Sequence, residues 1–88
     1  IIYSGSVQKQ DLKNIIKLLN EDIVLDYKKF AIAKTPLIKG SLREYAHINN
    51  KQYILLETTG QNNIQHLNIR IKQCYIFLLY FLKRYNIV

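Results

Sequence analysis

Metal binding and nucleophilic catalysis need histidine, cysteine or carboxylate side chains grouped at set spacings, and this sequence does not group them. His47 and His66 stand far apart, with no Cys, Asp or Glu at ligand spacing beside either. The carboxylates Asp11, Glu21, Asp22, Asp26, Glu44 and Glu57 are scattered, and none forms a suggestive acid–base pair. Gly5, Gly40 and Gly60 are the only glycines, too few and too dispersed for a phosphate-cradling loop. Cys74 is the single cysteine and lies in the apolar run Cys74–Leu82, so no disulfide can form within the chain. It reads as a buried structural thiol in a reducing compartment. These residues predict a protein that is not an enzyme and that holds neither a metal nor a cofactor.

Cations are the richer signal. Thirteen Lys and Arg against six Asp and Glu give a net charge of +7 and an isoelectric point near 9.6, a field that attracts polyanions. Lys28, Lys29, Lys34, Lys39, Arg43 and Lys51 fall within one stretch interleaved with Tyr27, Phe30, Tyr45 and Tyr53. Lysines neutralise phosphates, and aromatic rings stack on unpaired bases. These six cations are therefore the candidate RNA-binding residues. The aromatics read more readily as sheet core, and Lys9, Lys13 and Lys17, repeating every four residues, read first as a solvated helix face, with phosphate contact as the alternative.

The elements that would position these groups follow from hydropathy patterning. Leu12, Ile15, Ile16 and Leu19 recur at helical spacing and predict a helix over about 7–20, with Ser6 as its N-cap. Ile23–Phe30 is rich in β-formers and predicts a strand whose first half is buried on both faces. Residues 31–50 predict a long loop, with a short helix over 41–48 as an alternative. Lys51–Thr59 predicts a second strand, Gly60–Asn63 a turn, and Ile64–Leu67 a third strand hairpinned to it. Asn68 would cap a final helix over about 69–86 that is apolar almost all round. The expectation is a single α+β domain over 1–88, with residues 1–6 flexible. Its order is α-β-β-β-α, with a three-stranded antiparallel sheet carrying both helices on one face and leaving the other open for RNA. Lys28, Lys29 and Lys51 would then converge at one end of the sheet.

The run Cys74–Leu82 is too short to span a bilayer. The opening residues carry no signal-peptide pattern, although the first is not Met. A cytoplasmic location follows. The chain is 49% hydrophobic, generous for so small a domain. Together with the greasy last helix, that surplus predicts a permanent partner or a homodimer.

From Asp11 onward a set of blocks runs in order: the amphipathic helix Leu12–Leu19, Ile23–Phe30 ending in Lys-Lys-Phe, Thr35–Ser41 ending in Lys-Gly-Ser, Asn50-Lys51 with Ile54–Gly60, and Tyr80–Arg84 at the end of the last helix. In these blocks the chain resembles the fourteen-kilodalton Alu-domain protein family of the signal recognition particle, matching in turn its first helix, its first strand, its Lys/Pro-rich loop, its second strand and turn, and its closing helix. The resemblance implies the α-β-β-β-α fold and a heterodimer with the related nine-kilodalton protein. It further implies binding of the particle's Alu RNA, and slowing of elongation on the ribosome during targeting to the membrane. By position, it also assigns RNA contact to Lys28, Lys29, Lys34, Lys39, Arg43 and Lys51. The chain departs from the family at Ala31-Ile32-Ala33, usually more polar, and in lacking a basic tail before Val88. Two other readings stand beside this one: a small basic protein-interaction module, and a different, ribosomal-type RNA-binding protein.

Overall fold

A computed structural model describes residues 1–58 and 63–87. The element order is β1 (Ile2–Ser4), α1 (Lys9–Asn20), a single 3-10 turn (Asp26–Lys28), α2 (Leu42–Ile48), β2 (Tyr53–Leu55) and α3 (Leu67–Arg84). The class is mixed α+β, but the expected three-stranded sheet is replaced by two antiparallel strands, with Ile2 opposite Leu55 and Ser4 opposite Tyr53. Among the described residues three α-helices, not two, accompany them.

Each correction has a local cause. Ile23–Phe30 does not extend as a strand. Lys28 N–H donates to the Leu25 carbonyl at 3.0 Å and Lys29 N–H to the Asp26 carbonyl at 3.1 Å, closing a tight turn. The Lys29 ammonium then reaches the Asp26 carboxylate at 3.2 Å. Beyond the turn, the Asn20 side chain holds both backbone groups of Phe30, accepting from its N–H at 2.7 Å and donating to its carbonyl at 2.9 Å. Val24 and Leu25, expected to be buried, are 87% and 50% exposed. β-propensity expresses packing on neighbouring strands, and without a neighbour it does not make one.

The strand comes instead from Ile2–Ser4, in the segment expected to be flexible. Its second edge is taken by the chain just after Phe30. Ile1 N–H donates to the Ala31 carbonyl at 2.7 Å, and Ala33 N–H returns to the Ile1 carbonyl at 2.8 Å, which is the parallel pairing pattern. The predicted strand Lys51–Thr59 shortens to Tyr53–Leu55. Most of the Gly60–Asn63 turn lies outside the described residues. Ile64–Leu67 is no strand: Ile64 sits in a turn and Leu67 opens α3.

α1 forms where the periodicity places it, burying Leu12, Ile15 and Leu19. Ser6 does not cap it; its hydroxyl donates to the Asn50 carbonyl at 3.2 Å. α2, the open alternative within the predicted loop, starts with Ser41 accepting from Glu44 N–H at 3.1 Å while Glu44 accepts from Gly40 N–H at 3.0 Å, a variant of the capping box. It ends on Asn50 at φ 52°. There, Lys51 N–H bonds the Ala46 carbonyl at 2.8 Å and Asn50 N–H the His47 carbonyl at 3.3 Å, a Schellman ending. α3 ends the same way on Asn86 at φ 59°, with Ile87 N–H to the Leu82 carbonyl at 2.8 Å.

The core joins Ile1, Val7, Leu12, Ile15 and Leu19, with Tyr3, Ile54, Phe77 and Phe81 packed against it. α3 meets this core with one face only. Gln73 turns inward and is 6% exposed, while Cys74 is exposed, contrary to the buried thiol expected. Ile71, Tyr75 and Leu78 are 57%, 64% and 57% exposed on its outer side. Within this chain the final helix is therefore covered on one side only.

One polar knot fixes α3 against α1. The buried Asp11 carboxylate accepts the Tyr80 hydroxyl at 2.9 Å and Arg84 Nε–H at 3.0 Å, both on Oδ1. Asn14 donates to the Tyr80 hydroxyl at 3.2 Å. Burial raises the Tyr80 phenol above its ordinary value of 10.0, opposed by the bond from Asn14 and reinforced by Asp11. A phenol whose folded pKa lies above its unfolded one contributes stability that is intact below the unfolded value and lost as pH rises through the folded one. Denaturant midpoints should therefore fall on raising the pH past 10.0, and Tyr80→Phe should remove part of that fall. Gly5→Ala should destabilise by about 3 kcal/mol or more at any pH. Gly5 has φ +73°, and a Cβ there would run into the Lys51 carbonyl. Denaturant titrations of the parent and both variants, repeated across a pH series, check both expectations.

Candidate nucleic-acid interface

Residues 27–51 hold six cations and one acid, Glu44, so most of the chain's positive excess resides in this stretch. Its middle, residues 31–40, is exposed throughout. Ile1, just ahead of β1, bonds Ala31 and Ala33 at its start, and Arg43 of α2 reaches Thr35 and Pro36 midway along it. A ribbon held through its backbone carbonyls presents its side chains outward without being part of the core.

The six sequence-predicted cations do not converge at a sheet end, because the strand that would carry Lys28 and Lys29 is absent. They divide by place. Lys28 and Lys29 line one recess of about 250 Å³ with Tyr27 and Phe30. The Lys28 ammonium lies 5.8 Å from the Tyr27 ring centroid, and Tyr27 is 73% exposed. Lys34 and Arg43 line a second recess of about 410 Å³, with His47 and Thr35. Lys39 and Lys51 are exposed and belong to neither recess.

Their electrostatic freedom differs. Arg43 is a structural clamp. Its Nε–H donates to the Tyr3 carbonyl at 3.3 Å, and its Nη1 reaches the Thr35 carbonyl at 3.1 Å and Thr35 Oγ1 at 2.8 Å. Lys29 is paired with Asp26. Lys34, Lys39 and Lys51 form no ion pair among the described residues, and they remain available for a phosphate. Of the interleaved aromatics, Tyr27 and Tyr45 are 73% and 57% exposed, whereas Phe30 packs against the core. Tyr27 and Tyr45 are therefore the rings free to stack.

A further basic feature lies on α1. Lys9, Lys13 and Lys17, for which a solvated face was the favoured expectation, line a recess of about 420 Å³ with Tyr3, Leu12, Ile16 and Ile32. Their four-residue repeat was visible. That Ile32 would lie beside them was not, because it depends on the pairing of the 31–33 segment with Ile1.

Among the described residues no group of three or more His, Cys, Asp or Glu side chains is placed to hold a metal ion. None of the described helices is long and apolar enough to cross a membrane. No protein-family model, no curated protein and no solved structure matches the chain.

Arg43→Ala should cost about 1–3 kcal/mol of stability and speed amide exchange around Ala33, since it removes several hydrogen bonds from a charged donor. Lys34→Ala should stay within about 0.5 kcal/mol of the parent, as an exposed side chain with no ion pair does. Urea titrations with hydrogen-exchange readout separate the two.

Proposed function

We propose that this protein binds RNA as a subunit of a cytoplasmic ribonucleoprotein and carries no catalytic centre. The observation that carries the reading is the exposed ribbon of residues 31–40 within a stretch of six cations and one acid. Lys34, Lys39 and Lys51 supply unpaired charge for the phosphate backbone, with Lys28 and Lys29 adding to the field. Tyr27 and Tyr45 offer ring faces to unpaired bases. The site is a charged loop surface rather than a sheet platform, so contacts to backbone and single-stranded bases account for it better than readout of a helical groove.

The RNA to try first is the Alu end of the signal recognition particle RNA, bound together with the related nine-kilodalton protein in support of elongation arrest. The collinear sequence blocks favour it. The missing three-stranded sheet counts against it, because the resemblance implies that sheet. A ribosomal-type RNA satisfies the same surface chemistry.

Binding to a labelled Alu-type RNA and to an unrelated hairpin should weaken steeply with salt, with the log of the affinity falling linearly against the log of salt concentration. Reversing Lys34, Lys39 and Lys51 to Glu together should weaken binding by about a hundredfold or more and flatten that slope. A flat salt dependence in the parent protein would remove the proposal. Preference for the Alu RNA over the hairpin would assign the particle.

A further inference from the structure

A second surface lies along the seam between α1 and α3, and it differs in chemistry from the loop ribbon. One recess of about 390 Å³ is floored by Leu18, Val24, Leu25, Ile69 and Ile76. A second, of about 320 Å³, runs on from it over Leu79 and Tyr80 and shares Leu18 and Ile76 with the first. Together they form one apolar groove following α3 from Ile69 to Arg84, a length of ~22 Å at the rise of an α-helix. Its apolar residues are open to solvent: Leu18 is 43%, Leu25 50% and Val24 87% exposed. Apolar surface of this extent on so small a chain calls for a covering partner.

The rim identifies that partner's chemistry. Lys28 and Lys72 flank the first recess and Lys83 the second, where Arg84 is already paired with Asp11; Asp22 is the one acid in either lining. We propose that the groove docks an amphipathic helix of a partner protein, its apolar stripe on the floor and acidic residues along both flanks. This proposal does not rest on the RNA reading.

Other occupants fit less well. The outer stripe of α3 itself, Ile71, Tyr75 and Leu78, is bordered by Lys72 and Lys83, and α1 presents Lys9, Lys13 and Lys17. A second copy of this chain would thus bring cation against cation across the contact, which disfavours it. RNA bases gain little from a floor of Leu, Ile and Val, which offers no faces to stack on.

The test titrates the full chain, isotopically labelled, with a synthetic peptide. It carries Leu at helical i, i+3, i+4, i+7 spacing and Glu on both flanks. A control peptide keeps the Leu stripe and carries Lys on the flanks. Saturable binding of the Glu peptide, with shifts confined to Leu18, Val24, Ile69, Ile76 and their neighbours, is the expected result. Lys72→Glu combined with Lys83→Glu should weaken it about tenfold or more, as should Val24→Asp. All three positions are exposed, and their circular dichroism should match the parent. Equal binding of the Lys peptide, shifts spread over the loop ribbon, or no saturation would overturn the proposal. So would binding of anionic vesicles in place of the peptide, or self-association that Val24→Asp abolishes and the Glu peptide does not compete. RNA affinity measured on the same variants separates the two surfaces. Its loss in the loop variants alone leaves the groove intact.

Discussion

The arrangement of this small domain depends on one buried carboxylate. Asp11 is 2% exposed and sits on the same helix face as Leu12 and Ile15. A carboxylate there is tolerated only if it is paired and hydrogen-bonded. Tyr80 and Arg84, one helical turn apart on α3, supply both requirements on Oδ1, while Oδ2 has no hydrogen-bond partner among the described residues. The demand fixes the rotation of α3. With Tyr80 and Arg84 directed at α1, Gln73, Phe77 and Phe81 also face inward. Cys74, Tyr75 and Leu78 then have to face out. Edge-to-face contacts of Phe81 with Phe77, at 5.1 Å, and with Tyr80, at 5.0 Å, pack the same face. A helix that looked uniformly greasy thus acquires an inside and an outside from a single polar residue on its neighbour.

What the sequence revealed and what it hid follow a physical division. α1 was legible because its hydrophobic period is strong and local. The final helix was legible for the same reason, though displaced by two residues towards the N-terminus. The candidate cations could be named one by one, but not sorted. Only the fold shows that Arg43 serves three carbonyls and a hydroxyl, or that Lys29 answers to Asp26. The sheet was illegible, since strand formation is decided by partners distant in sequence. Ile23–Phe30 has better β-formers than Ile2–Ser4, yet the latter won because its two edges meet β2 and the 31–33 segment. The residues of β1 precede Asp11, where the family resemblance begins, so the resemblance carries no signal for that strand.

Two surfaces result, one charged and loop-borne, the other apolar with a charged rim. They are set by different parts of the molecule. The ribbon is held by hydrogen bonds from Ile1, Asn20 and Arg43, whereas the groove follows from the docking of α3 through Asp11. Lys28 stands at the boundary and lines a recess of each. An RNA and a protein partner could therefore occupy the domain together, their cations largely separate. Such an arrangement suits a subunit of a particle.

The most direct measurement is ultraviolet crosslinking of bound RNA to the full chain, with the linked residues located by mass spectrometry. Crosslinks should fall on residues 27–51, foremost on Tyr27 and Tyr45, and Val24, Ile69 and Leu79 should stay unmodified. Crosslinks concentrated along the α1–α3 seam, or spread evenly over the molecule, would contradict that placement.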